Sequence, residues 1–326
     1  MTASISTDET TGTGHHGTTS ASSSSGPLRL GLLISHLRPE EKAILAAARA
    51  RGLDVTTMID RELVLDLNAP TAEASGLAVD VVLDRSVAHT KALYTLRTMD
   101  RCGIPTLNTP QAVEVCDDKV ASSLALAKAG VPTPRTFVCY SVESALKAAE
   151  SLGYPVVLKP VTGSWGRLLA RINGPDQMRV ILSQKTEHGG FHHEVLYLQE
   201  FVEKPGRDIR AYVVGGRVLA ASYRSSEHWV TNAARGAVSR PCPVTPEIEG
   251  LALRACVAVG ARLAGVDLFE TGDGLQVVEV NSGGEFKGLQ TTTDVDIAGE
   301  IVEEAVRIAR LAMLGESVSD RATATA

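Results

Sequence analysis

Glu279-Val280-Asn281-Ser282-Gly283-Gly284-Glu285-Phe286-Lys287 follows an apolar run, Leu275–Val278, and its first and third residues carry oxygen-bearing side chains. In an extended strand, side chains two positions apart project from the same face, so Glu279 and Asn281 share a side. Twelve residues before Glu279, Gly265-Val266-Asp267-Leu268-Phe269 has the pattern of a second strand with one acid in it. If the two strands pair, Asp267 joins the set, and three hard oxygen ligands line one side of a cleft. That donor set suits Mg²⁺, which takes one or two carboxylates and fills its remaining positions with phosphate and water. The stretch reads as the floor of an ATP–Mg²⁺ site. A surface hairpin with scattered acids would carry the same three residues, and the triad alone does not separate the two.

Working outward, the next informative segment is Gly153-Tyr154-Pro155-Val156-Val157-Leu158-Lys159-Pro160, a buried strand that ends in a lysine. Thr162-Gly163-Ser164-Trp165-Gly166-Arg167 follows. Gly163 and Gly166 let a backbone approach a ligand, and their N–H groups can cradle phosphate. Lys159 and Arg167 would balance its charge. The spacing is not that of a P-loop. Gln199-Glu200-Phe201-Val202-Glu203 is a strand that turns polar at its end. Such an edge can offer backbone groups to an adenine ring and a carboxylate to ribose; it can equally be a strand running into a loop. Arg210, Arg224, Asn232 and Arg235 lie in a Gly-bearing region. The arginine fork suits phosphate and carboxylate, although an ordinary basic surface would look similar. His188, His192 and His193 have no acid partner at metal spacing and read as loop residues.

The chain has 326 residues, enough for two or three packed units. Its formal net charge of −6 carries no signature of nucleic-acid binding. It has no apolar run long enough to cross a membrane. The Ser-, Thr-, Gly- and His-rich residues 1–26 have almost nothing to bury and are expected to be a disordered tail. They lack the pattern of a secretory signal, and 319–326 is expected to fray. Five cysteines without Cys-x-x-Cys spacing point to reduced, buried thiols in a cytoplasmic protein.

Strand-like runs at Leu28–Ile34, Val55–Ile59, Val79–Leu83 and Ile104–Asn108 alternate with helical stretches at Pro39–Arg51 and Thr90–Cys102. This alternation predicts a small parallel sheet covered by helices, ending near Asn108. One long helix is expected over Thr109–Gly130. After it come a strand at Val138–Tyr140 and a helix at Val142–Leu152 capped by Ser141. Further strands are expected at Leu168–Ile172 and Leu196–Val202, with a helix over Pro175–Lys185 between them. A hairpin joins Asp208–Val214 to Val218–Tyr223. Thr245–Leu263 and Ile297–Met313 read as helices. The expected division is a unit over 27–108, a central unit over 109–202 and a C-terminal unit over 203–318.

The order of these parts resembles the ATP-grasp superfamily. More narrowly, it resembles the branch that joins glutamate or α-aminoadipate to a small carrier protein in lysine and arginine biosynthesis. The residues that carry the resemblance are Cys116-Asp117-Asp118-Lys119, Gly163–Ala170, Gln199–Arg210 with its Glu-Lys-Pro-Gly-Arg-Asp-Ile-Arg run, Ala233-Ala234-Arg235-Gly236 and Glu285-Phe286-Lys287. The similarity runs from about Leu28 to Met313. It implies an α/β ATP-grasp fold, in which a small parallel-sheet domain precedes two α+β subdomains that enclose the nucleotide.

By position, the resemblance implies that Lys119 and Lys159 hold the nucleotide phosphates. Gly163–Leu169, with Ser164, Trp165, Gly166 and Arg167, closes over them. Gln199, Glu200, Phe201 and Val202 carry the adenine contacts, and Asp208 and Arg210 fall in the nucleotide-binding run. Arg224, Asn232 and Arg235 take catalytic roles, the first two as phosphate and acyl-phosphate contacts. Asp267, Glu279 and Asn281 are the Mg²⁺ ligands, and Ser282–Lys287 meets the amino substrate. The implied partner is a small acidic carrier protein ending in Glu, with a homo-oligomeric enzyme. The chain departs from the branch after Asn281. Aminoadipate-type members resemble Asn-His-Thr-Met-Glu-Phe-Lys-Asn there, whereas this chain has Asn281-Ser282-Gly283-Gly284-Glu285-Phe286-Lys287-Gly288. The departure touches the amino substrate and leaves the ATP assignment alone. A free-standing amino-acid ligase without a carrier and an ATP-binding regulator without turnover are the rival expectations.

Overall fold

Continuous apolar runs make the first sheet. In β1 (Arg29–Ile34), Leu30, Leu32, Leu33 and Ile34 are all buried, as expected of a parallel strand covered on both faces. The computed structural model describes residues 26–72, 74, 76–163, 167–188, 195–232 and 236–316, with 185–188 as backbone only. β2 (Asp54–Ile59), β3 (Val81–Arg85) and the short β4 (Thr106–Leu107) complete a parallel sheet in the order β2-β1-β3-β4. α1 (Pro39–Ala50) opens with Pro at its first position and two acids in its first turn, which suits the positive end of a helix dipole. α2 (His89–Arg101) is the second connecting helix.

The single helix expected over Thr109–Gly130 is two helices, α3 (Pro110–Asp117) and α4 (Lys119–Lys128). Asp118 breaks them with φ −90° and ψ 109°, and its carboxylate accepts from the backbone N–H groups of Val120 and Ala121 at 2.8 and 2.9 Å. An acidic side chain that can cap a new helix competes with continuation of the old one. The break sets Lys119 at the first position of α4, with its N–H donating to Val161 O at 3.0 Å. Cys116 and Leu126 of these helices pack in the core of the C-terminal sheet rather than with the central one.

The central sheet is antiparallel: β5 (Thr136–Cys139), β6 (Val156–Lys159), β7 (Ala170–Ile172) and β8 (Leu196–Glu200) lie in the order β5-β8-β6-β7. α5 (Val142–Leu152) and α6 (Pro175–His188) accompany it, and Ser141 caps α5. The last sheet contains β9 (Arg207–Val214), β10 (Arg217–Ser225), β11 (Val238–Cys242), β12 (Leu263–Thr271) and β13 (Gly274–Ser282), in the order β11-β10-β9-β12-β13. β11 was not expected from the sequence. It holds Pro241 and lies at the sheet edge, where a missing N–H is tolerated.

α7 (Pro246–Val259) is shorter than the helix expected over Thr245–Leu263. Gly260 ends it with φ 73°, a left-handed conformation that glycine adopts without strain. β12 is then free to begin at Leu263. A short helix, α8 (Lys287–Gln290), precedes α9 (Ile297–Met313). The buried face of α9 returns to the first sheet, where Ile301, Val302 and Ala305 share a core with Leu30, Leu32 and Ile44. The end of the chain is thereby tied to its beginning.

Candidate active site

The pairing of β12 with β13 sets Asp267 opposite Glu279 and Gly265 opposite Asn281, with a bulge directly after Asp267. The three oxygen-bearing side chains therefore gather on one face, and Asn281 Nδ2 lies 3.4 Å from Asp267 Oδ2. β9 flanks them on the other side and pairs Arg210 with Asp267. Arg210 donates to both carboxylate oxygens of Asp267, at 2.5 and 3.1 Å. Arg224 approaches the same carboxylate at 2.8 Å and forks onto Asp208 at 2.6 and 2.9 Å. Thr231 donates its hydroxyl to Asp208 as well. Burial works to raise the pKa of Asp267, but the two guanidinium groups outweigh it and hold the carboxyl below its ordinary range. Burial also opposes charge on Arg224, yet Asp267 and Asp208 push its pKa well above the usual arginine value. Asp267 is ionised at neutral pH within a cluster of alternating charges.

Two lysines stand near this floor. Lys119 Nζ lies 3.2 Å from Glu279 Oε1 and donates to Gly163 O at 2.7 Å. Lys159, the last residue of β6, donates to Gln199 Oε1 at 2.6 Å. Burial pushes the Lys159 ammonium down to about 8, with Glu279 working in the opposite direction. A third lysine, Lys204, donates to Thr231 Oγ1 at 2.7 Å and lies 4.5 Å from the centre of the Phe269 ring. Burial lowers its pKa too.

A cleft with two lobes surrounds these groups. The first spans about 810 Å³, part of it open to solvent, and has Lys159, Phe201, Val202, Trp229 and Phe269 in its walls. The second spans about 1780 Å³, part of it open to solvent, and is walled by Arg38, Arg210, Asn281 and Ser282–Glu285. Gly163, Asn232, Asp267 and Glu279 line both lobes, so the acidic floor sits where they meet. A largely apolar pocket with a few convergent polar groups is what a nucleotide base and its phosphates require.

The residues expected from sequence divide between the lobes. Lys119, Lys159, Gly163, Arg167, Gln199, Glu200, Phe201, Val202 and Asp208 line the first. Arg210 and Arg224 line the second and are committed to carboxylates; Arg210, expected to fall in the nucleotide-binding run, does not line the first lobe. Ser282, Gly283, Gly284, Glu285 and Lys287 also line the second lobe. Phe286 does not. Its ring is 2% exposed and packs edge-on against Tyr212 at 5.8 Å, so it belongs to the core. Ser164, Trp165, Gly166 and Arg235 lie outside the described residues. The sequence reading missed Lys204, Trp229, Thr231 and Phe269 in the first lobe, and Arg38, His89 and Asp117 in the second. A tryptophan in the polar stretch Ser225–Asn232 was a legible signal. Arg38 gave none, because its place depends on α1 meeting the loop after β13.

The donor set fits a hard divalent cation: Asp267 and Glu279 supply carboxylates and Asn281 an amide oxygen, all from paired strands. Among the described residues, no group of three or more His, Cys, Asp or Glu side chains is disposed to hold a metal ion, and the set here has two carboxylates and an amide.

A family model described as a RimK-like ATP-grasp domain matches residues 116–305. The chain belongs to the RimK-like ATP-grasp family. Residues 30–115, the parallel-sheet unit, match a LysX preATP-grasp domain. The alpha-aminoadipate–LysW ligase LysX of Saccharolobus solfataricus is 33% identical over 270 residues, covering 82% of this chain and 97% of the relative. The glutamate–LysW ligase ArgX of Sulfolobus acidocaldarius is 30% identical over 280 residues, 84% and 97% of the two chains. The tetrahydromethanopterin:alpha-L-glutamate ligase of Methanococcus maripaludis is 38% identical over 213 residues, 64% and 71% of the two. Among solved structures, a RimK domain ATP-grasp protein from Sphaerobacter thermophilus superposes with TM-score 0.74 at 27% identity, over 85% of this chain and 99% of that one. The D-alanine–D-alanine ligase of Bacillus anthracis complexed with ATP superposes with TM-score 0.66 at 15% identity, a likeness of fold. ATP-grasp ligases use ATP and a divalent metal ion.

Proposed function

We propose that this chain is an ATP-dependent carboxylate–amine ligase that activates the side-chain carboxylate of the C-terminal glutamate of a small acidic carrier protein and couples it to the amino group of an acidic amino acid. The observation that supports this most is the pair of lobes meeting at Asp267, Glu279 and Asn232. ATP occupies the first lobe, with the adenine in the apolar pocket lined by Phe201, Trp229 and Phe269 and backbone contacts along Gln199–Val202. Lys119 and Lys159 meet the phosphates. The segment 163–169, including Ser164, Trp165, Gly166 and Arg167, covers them and excludes water. Asp208 orients Arg224 and Thr231. The γ-phosphate then lies at the junction, where the carrier carboxylate attacks it.

The acyl phosphate formed there is held by Asn232, Arg224 and Arg235. The amine enters through the second lobe, lined by Ser282–Glu285 and Lys287, and attacks the acyl carbon; the tetrahedral intermediate collapses to amide and phosphate. Mg²⁺ bound by Asp267, Glu279 and Asn281 would neutralise charge on the phosphate oxygens. Most of the rate enhancement comes from positioning and charge stabilisation. A water-excluding cover protects the acyl phosphate from hydrolysis. The working protein is a cytoplasmic homo-oligomer, with units over 27–108, 109–202 and 203–318 in chain order, of which α3 and α4 at the start of the second pack on the core of the third.

The test is an ATP-dependent mass increase of a small carrier protein ending in Glu, read against a panel of acidic amino acids. An increase equal to one residue with ADP release is the expected result. ADP release with free substrates and no change in any carrier would support a second reading, ligation of a small-molecule carboxylate. The tetrahydromethanopterin:alpha-L-glutamate ligase among the relatives favours that alternative.

A further inference from the structure

The loop after β13 is held by charged side chains from the first sheet layer. Arg85 ends β3, and its side chain is fully buried. Its Nη1 donates to Gly283 O at 2.5 Å and Gly284 O at 3.2 Å, while Nε donates to Glu41 at 3.3 Å. Glu40, in the first turn of α1, accepts from the backbone N–H of Phe286 at 2.5 Å and of Lys287 at 2.9 Å. Arg38 bonds Glu41 at 2.7 Å and reaches Glu285 at 3.1 Å. Tyr212 adds its hydroxyl to Gly284 O at 3.0 Å.

Burying Arg85, Glu40 and Glu41 is costly, and an apolar set of the same volume would hold the two units together as well or better. An apolar set could not aim peptide groups. The charged set turns the Gly283 and Gly284 carbonyls toward Arg85 and the Phe286 and Lys287 amides toward Glu40. Gly283 has φ +73° and no side chain, so its own backbone preference does not fix the turn. At Gly284, an added Cβ would meet Gly265 N at 3.1 Å, so the loop also lies close against β12.

We infer that Arg85 and Glu40 are positioning residues for the acceptor amine: they set Gly283–Lys287 in the shape that walls the second lobe, so acceptor binding depends on them and ATP binding does not. The inference rests on reading the second lobe as the amine site.

Two variants of the full chain test it. Arg85→Lys keeps the charge but loses the planar group that joins the two carbonyls, held through Nη1, to Glu41, held through Nε. Glu40→Gln keeps the shape but weakens the hold on two amides, and it serves if Arg85→Lys fails to fold. Kinetics are run with whichever of L-glutamate or L-α-aminoadipate the wild type couples better. The KM for the amino acid is expected to rise about tenfold or more while the KM for ATP stays within about twofold. Hydrogen exchange at the Phe286 and Lys287 amides should accelerate in Glu40→Gln. A lowered Tm with both KM values unchanged, or both shifted equally, would make the clamp a structural staple and overturn the inference. Unchanged exchange at both amides would overturn it as well. If the wild type couples neither amino acid, the functional reading fails, and the exchange contrast still decides whether Glu40 sets the loop.

Discussion

Lys159 makes ATP binding depend on pH in a direction that can be worked out. In the free protein, burial pushes its ammonium from 10.5 down to about 8, so near pH 8 about half the molecules hold it neutral. Triphosphate beside Lys159 favours the charged form. If binding restores the ordinary value, the shift of about two and a half units corresponds to about 3 kcal/mol of coupling between phosphate and proton. Binding at pH 8 should then take up about half a proton. Above pH 8, Kd should weaken about tenfold per pH unit until the pKa of the bound state is reached. The assay is calorimetric titration of ATP at fixed Mg²⁺ in two buffers of different ionisation enthalpy, from pH 7 upward. The γ-phosphate is already ionised there and does not contribute. Lys159→Met should reduce the uptake and make the profile shallower, leaving only what Lys204 in the same lobe contributes. Equal heats in the two buffers at pH 8, or a wild-type Kd unchanged from pH 7 to 9.5, would refute the placement of Lys159 against the phosphates.

Lys159→Ala and Glu279→Ala should each abolish ADP release while far-UV circular dichroism stays native, and full activity in either would count against the nucleotide site. Asp208→Asn removes one of the two acids beside the buried Arg224 and should cost about 3 kcal/mol in urea unfolding. A change below about 0.5 kcal/mol would mean that Asp267 alone satisfies the guanidinium. Trp229→Ala takes one wall from the first lobe and should weaken ATP binding about tenfold, with little change in the KM for the amino acid.

Much of this site was legible in the chain because the chemistry sits on regular strands. The two-residue repeat of β13 puts Glu279 and Asn281 on one face whatever the tertiary context, and a hairpin with a two-residue turn at Gly272-Asp273 brings Asp267 to them. Lys159 is legible for the same reason, as the polar end of an apolar strand. Other features depended on contacts that no local pattern encodes. Asp118 looks like an interior helical residue until its carboxylate is seen capping α4, which is why one long helix was expected. Arg210 looks free in sequence, whereas the β9–β12 register aims it at Asp267. Phe286 sits in a loop of glycines and charges, yet Arg85 and Tyr212 draw its ring into the core. Arg38, Glu40 and Arg85 lie 247, 246 and 198 residues from their partners in the loop they hold, and only packing of the first unit against the last brings them there.

The account turns on an acyl phosphate formed where the two lobes meet, and isotope transfer reads that step directly. A carrier, or a peptide copying its end, is prepared with heavy oxygen in the terminal glutamate carboxylates and incubated with enzyme, ATP, Mg²⁺ and the amino acid. The account predicts that the released phosphate carries one heavy oxygen for every amide formed. Amide formation with unlabelled phosphate would contradict it.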